Sequence, residues 1–194
     1  MDTTKHIVGV DEAGRGAWAG PVYAAAVILD PKAPIDGLTD SKLLSPKQRE
    51  RLFQEIVAKA LAFGIASASV EEIDRFNISH ATFLAMQRAV DKLNFVFHEI
   101  WVDGNQQPKW PHPTRCIIDG DRLVDAISAA SILAKVSRDE DIESWDDKLP
   151  YGFAKHKGYG TVLHQEKLAE YGVSVIHRRS FKPIKIRLME TVNE

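Results

Sequence analysis

Four acids stand where their residue type and spacing could do chemistry. Asp11 and Glu12 follow the apolar run Ile7-Val8-Gly9-Val10, Asp103 follows Ile100-Trp101-Val102, and Asp121 comes shortly after Ile117-Ile118. Carboxylates are among the side chains least often buried unless paired or metal-bound. Taken singly, each has a plain explanation, a strand end meeting solvent or, for Asp121, a helix cap. Taken together, four acids ending elements of one sheet would repel one another and raise one another's pKa unless a cation neutralised them. Hard divalent ions, Mg²⁺ or Mn²⁺, suit such an all-oxygen ligand set. Two of them, about 3.5–4 Å apart, activate a water and stabilise the leaving oxygen in phosphodiester hydrolysis. No protein nucleophile is then required, and none is evident. Cys116 is the only cysteine and has no obvious base partner, and Ser128 and Ser131 fall among the small residues Ala126, Ala129, Ala130 and Ala134.

Two local questions accompany this reading. Adjacent strand residues point to opposite faces, so the chain is expected to leave strand geometry at Asp11-Glu12, with Gly14 and Gly16 supporting a sharp turn. Asp119 competes with Asp121, because residues two apart in a strand share a face; Asp121 is taken as the ligand.

The elements that must position these acids alternate as in an α/β chain. Strands are expected at His6–Asp11, Val22–Leu29, Phe63–Ser69, Glu99–Val102 and Arg115–Ile118, the first two as an antiparallel pair. Helices are expected from Pro46 to Leu61 after the N-cap Ser45, from Ser79 to Leu93, from Leu123 to about Asp141, and near Val162–Tyr171. The sum is a mixed five-stranded sheet flanked by helices. Residues 1–194 read as one domain, an α/β core over 1–150 and a smaller, basic helical segment over 151–194.

The net charge of −2 conceals an asymmetry. Between residues 151 and 188, eight Lys and Arg stand against two acids, whereas residues 1–150 are acidic overall. Such a division suits an enzyme that gathers cations in one place and phosphates in another, although a solvated basic tail would look the same. A hydrophobic content of 44% is enough for a packed core. No charged-then-apolar leader opens the chain, and no apolar run approaches the roughly 20 residues of a membrane helix. The expectation is a cytoplasmic protein without a membrane partner.

Several ordered motifs carry a resemblance to a known family. Asp11-Glu12-Ala13-Gly14-Arg15-Gly16 with Ala19-Gly20-Pro21 resembles the opening motif of ribonuclease HII. Asp40-Ser41-Lys42, Val102-Asp103-Gly104, Gly120-Asp121 and the stretch Ser128 to Val136 leading to Arg138-Asp139 follow in order. Tyr151-Gly152-Phe153, His156-Lys157-Gly158-Tyr159 and His177-Arg178-Arg179-Ser180-Phe181 complete the series, which runs from about residue 7 to 184. The resemblance implies a ribonuclease H-like fold and an endonuclease acting on RNA–DNA hybrids and on ribonucleotides embedded in duplex DNA. It implies Asp11, Glu12, Asp103 and Asp121 as catalytic metal ligands, with Asp139 an auxiliary acid. It further implies that Gly14, Arg15, Gly16 and Tyr159 read the ribose 2′-hydroxyl, and that Lys42, Lys157, Arg178 and Arg179 hold phosphates. Two positions depart from the family pattern: Trp18, where a smaller residue such as leucine is usual, and Gly160, where proline is common. Asp119 adds a negative charge near the acids. The chain opens at its first strand, without room for the additional N-terminal domain of the type 3 enzymes. No aromatic pair after Pro183 resembles a sliding-clamp motif, and no self-association element is evident, so a monomer is expected. Two alternatives stay open: another metal-dependent nuclease of the same fold, and a non-catalytic hybrid-binding module.

Overall fold

The computed structural model describes residues 5–192. Strands β1 (Ile7–Ala13) and β2 (Val22–Ile28) pair antiparallel, with Gly9 opposite Val27 and Ala13 opposite Tyr23. β3 (Ala62–Ala68) pairs antiparallel with the far edge of β2. β4 (Glu99–Asp103) runs parallel to β1, and β5 (Thr114–Ile117) parallel to β4. The order is β3-β2-β1-β4-β5, the expected mixed five-stranded sheet.

Helix α1 (Pro46–Lys59) begins at a capping box between Ser45 and Gln48, with proline in its first turn. α2 (Val70–Phe76) was not expected; at seven residues it is too short to show a period, but Ser69 and Glu72 form a capping box for it. α3 (Ile78–Asp91) starts at Asn77, whose side chain accepts from Ser79 and His80 N–H. The single helix expected from Leu123 is two: α4 (Gly120–Leu123) and α5 (Asp125–Glu143), separated by Val124 in an extended conformation. α6 (Phe153–His156) and α7 (Val162–Tyr171) follow. The basic tail forms α8 (Lys182–Val192); Pro183 is tolerated there because the first turn needs no N–H from it. Among the described residues, no helix is long and apolar enough to cross a membrane.

Strand alternation divides the core. Val8, Val10, Ile100 and Val102 pack on the α3 side against Ala85, Met86 and Ala89. Ala25 and Val27 pack on the other side against Leu52 and Ile56 of α1 and Ala129, Ala130 and Leu133 of α5. Burial of each large aliphatic side chain contributes about 1.5–3 kcal/mol. The small residues of α5 let its backbone touch the sheet: a Cβ on Gly9 would lie 2.1 Å from the Ala126 carbonyl carbon. A third apolar cluster, including Tyr151, Phe153, Leu168 and Ile184, joins α6, α7 and α8 to Ile142 at the end of α5.

Candidate active site

The acids gather at one end of the sheet because of register. Val10 pairs with Val102, so the next residues, Asp11 and Asp103, stand side by side at the C-terminal ends of parallel strands. Both fall on the face that α5 covers, by alternation from Val10 and Val102 on the α3 face. The expected break in strand geometry does not occur: β1 continues through Asp11 and Glu12 to Ala13, paired to β2 throughout. The physical reason is the neighbouring edge. β4 stops pairing at Val10, so beyond it β1 is held only by β2, and Glu12 lines a cleft with Lys42 and Tyr159 without leaving that ladder.

Asp121 reaches this place by a different route. The Asp103 Oδ1 accepts from the Gly120 N–H at 2.7 Å and the Asp121 N–H at 3.4 Å, drawing the start of α4 onto β4. A side chain at Gly120 would meet Ile127 at 2.7 Å, so glycine permits that approach. The Ser128 hydroxyl donates to the Asp121 carbonyl at 2.7 Å and ties α4 to α5. Asp121 is thereby nearly buried, while its competitor Asp119 is exposed.

Electrostatics mark the cluster as frustrated. Burial, then Glu12 and Asp103, push the Asp11 carboxyl well above its ordinary range, against hydrogen bonds from the Glu12 N–H and Ser131. Burial also raises Glu12, with Arg15 opposing from 3.3 Å. Asp121 is pushed up to about 6 by burial, Asp103 and Asp40. Lys42 feels burial acting against its charge, but Asp40, Asp121, Asp11 and Asp103 outweigh it and raise its pKa. Among the described residues no three acids, histidines or cysteines are grouped so that they could already hold a metal ion. The donor set nevertheless fits hard divalent cations, since it offers carboxylate oxygens whose mutual repulsion a cation relieves.

Glu12, Lys42, Ser131, Lys135 and Tyr159 line one cleft of about 470 Å³ with the turn Gly14-Arg15-Gly16. Gly14 has φ +94°, a conformation that favours glycine. Nothing lies within 4 Å of a Cβ built on Gly16, so its backbone is open to approach. Tyr159 is carried by a loop held from below by three buried histidines. The Gly158 N–H donates to His156 Nδ1 at 3.2 Å, so His156 Nε2 carries the proton facing the Tyr151 carbonyl at 2.9 Å. His164 Nδ1 donates to the Tyr159 carbonyl at 3.0 Å, leaving its Nε2 to accept from His177 Nε2 at 2.9 Å. His177 Nδ1 in turn accepts from the Ser174 N–H. Each ring nitrogen has one role, donor or acceptor, and burial holds His164 and His177 neutral.

The basic residues are less uniformly placed. Lys157 is ion-paired with Glu143. Arg178 corrects the expectation of a phosphate contact. It is wholly buried, and its guanidinium donates to the carbonyls of Gly20, Arg15 and Pro21, bracing the glycine turn from inside. Arg179 has an exposed side chain, and its N–H donates to Asp74. Asp139 pairs with Lys135 at 2.8 Å. Asp40, Lys135 and Arg138 were missed as site residues. Ser128, Ser131, Lys135 and Arg138 recur at three- and four-residue spacing on one face of α5, a signal legible in the sequence. Trp18 and Gly160, the two departures, meet each other: a Cβ on Gly160 would lie 2.1 Å from the Trp18 ring. The larger residue fills space that the smaller one leaves.

Comparison with known proteins shows the family and the fold. The family model for ribonuclease HII matches residues 8–184. Ribonuclease HII of Bordetella avium is 58% identical over 180 residues, 92% of this chain and 89% of its own. That of Cupriavidus necator is 55% identical over 185 residues, 93% and 78% of the two chains. The crystal structure of ribonuclease H2 from Pyrococcus horikoshii covers 97% of this chain and 100% of its own, with a TM-score of 0.81 at 25% identity. With its motifs, sheet order and nearly full-length matches in agreement, the chain belongs to the ribonuclease HII family, metal-dependent endoribonucleases that cleave the RNA of RNA–DNA hybrids.

Proposed function

We propose that this enzyme also cuts on the 5′ side of single ribonucleotides embedded in duplex DNA, leaving 3′-hydroxyl and 5′-phosphate ends. The observation that carries the reading is the shared cleft: a carboxylate of the acidic cluster, the glycine turn and Tyr159 line one space. Asp11, Glu12, Asp103 and Asp121 would hold Mg²⁺ or Mn²⁺, two ions once substrate is bound. These ions supply water activation and charge neutralisation for an in-line displacement. The chain's own groups supply position. The backbone of Gly14-Arg15-Gly16 comes close enough to address a 2′-hydroxyl, the group that separates RNA from DNA locally. The Tyr159 ring packs on the sugar and its hydroxyl offers a hydrogen bond. Lys42, beside the acids, balances their charge before substrate arrives and meets a phosphate afterwards. Arg15, Arg179 and the surrounding basic residues position the backbone rather than read sequence. The enzyme is read as a cytoplasmic monomer acting without a sliding-clamp motif.

The test is cleavage of a labelled duplex containing one ribonucleotide, with Mg²⁺ or Mn²⁺ and then with EDTA. A single metal-dependent cut immediately 5′ to the ribonucleotide is expected. Cutting of long hybrids alone would discard the single-ribonucleotide reading and leave the family activity in place.

A further inference from the structure

Arg138 has no part in the mechanism above, yet its placement is unusual. It is 1% exposed, and its Nε and Nη1 have no hydrogen-bond partner. Nη1 lies 3.6 Å from Asp139 Oδ1, an ionic contact only. A buried guanidinium with unsatisfied N–H groups is costly and calls for an explanation.

Its contacts provide one. Nη2 donates to the Lys157 carbonyl at 2.8 Å and reaches the Ala19 carbonyl at 3.4 Å. Nε lies against Gly14, where an added Cβ would sit 2.0 Å away. The guanidinium carbon stands 5.2 Å from the centre of the Tyr159 ring. One planar group thus touches both halves of the proposed ribose reader, the glycine turn and the tyrosine loop. The two halves meet otherwise through the Trp18 N–H on the Gly158 carbonyl and the Trp18 ring against Gly160.

We propose that Arg138 is a positioning residue that locks the glycine turn and Tyr159 into one ribose-reading unit. The fork reaches the two backbone carbonyls with one nitrogen while its face and Nε stay free to press on the ring and on Gly14. Lysine, a point charge without a plane, does not reproduce that geometry. The inference rests on the proposed reading of the cleft as a 2′-hydroxyl site.

The experiment compares Arg138→Lys and Arg138→Met with the unaltered enzyme on a single-ribonucleotide duplex and on a long hybrid. The expected result is a fall of at least tenfold in the ratio of the two activities for Arg138→Met, and a smaller fall for Arg138→Lys. If Arg138 acts through Tyr159, combining Arg138→Lys with Tyr159→Ala should cost no more than Tyr159→Ala alone. Equal losses on both substrates, or additive losses in the double variant, would overturn the proposal. Hydrogen exchange adds a readout independent of activity. Amides at 14–17 and 156–160 should exchange faster together in Arg138→Lys, with β1 and β4 unchanged. Unchanged exchange in both loops would also overturn the clamp. If the unaltered enzyme cut only long hybrids, the single-ribonucleotide reading would fail while exchange still decided the clamp. Should Arg138→Met not fold, Arg138→Lys decides the question alone.

Discussion

In the proposed metal site, Asp11 would serve binding at the expense of stability. Asp11 is buried beside Glu12 and Asp103, and its raised pKa means that the folded state loses stability as pH rises through that value. Asp11→Asn should therefore reduce turnover at least a hundredfold while raising the melting temperature in EDTA by a few degrees, since about 1 kcal/mol corresponds to 2–4 °C in a chain of this size. Thermal scans with and without Mn²⁺ check both halves: the ion should stabilise the native sequence more than the variant. A melting temperature lowered in EDTA would contradict the frustrated cluster. Tyr159→Ala makes a different prediction, because the ring contacts Arg138 and lines the cleft with the glycine turn. Its loss should fall about tenfold harder on single-ribonucleotide duplexes than on long hybrids, a difference of about 1.4 kcal/mol in transition-state stabilisation. Steady-state cleavage of the two substrates measures this.

The positions of the elements follow from close contact between backbones. β1 can carry Asp11 beneath α5 only because Gly9 places no side chain between strand and helix. Gly64 plays the same part on the opposite face, where a Cβ would lie 2.1 Å from the Ala89 carbonyl oxygen of α3. Gly9→Ala should destabilise the protein by about 1–3 kcal/mol or more, because backbone, not a flexible side-chain tip, must move. The same shift would carry Ser131 away from Asp11, so activity should fall beyond what unfolding explains. Urea denaturation together with activity normalised to the folded fraction checks the two effects.

Across the whole molecule, the C-terminal part has its own electrostatic economy. Burial pushes His164 down to about 4 and His177 to about 3, so both stay neutral in the folded protein while the unfolded chain protonates near 6.5. Below that value the unfolded state binds more protons, and stability is lost as pH falls from about 6.5 towards 4. Protonation also leaves the His164–His177 contact with too many protons, and the Tyr159 loop hangs from His164. Thermal scans between pH 7 and 4.5 should show a falling melting temperature, with hydrogen exchange rising at 156–160. His177→Gln should flatten part of that slope, and an unchanged slope would remove the histidines from the account.

What was legible in the sequence had short range. The alternating strands, the capped helices and the acids at strand ends were all readable, because each is written in a period or in adjacent residues. Asp121 was preferred to Asp119 on spacing, and the hydrogen bonds to Asp103 that distinguish them come from a separate strand. Where a helix spans only about two turns, as α2 does, or is interrupted by one extended residue, as at Val124, the apolar pattern is too brief to reveal the element or its break. Only the tertiary structure decided that Glu12 stays in its strand, because the place where β4 ceases to pair with β1 is a property of two strands together. It also decided the fate of the basic residues. Arg178 was expected on a phosphate and Arg138 was given no role, yet a charge is exposed or buried according to what folds over it, and here distant loops supply carbonyls and glycines that enclose both guanidiniums.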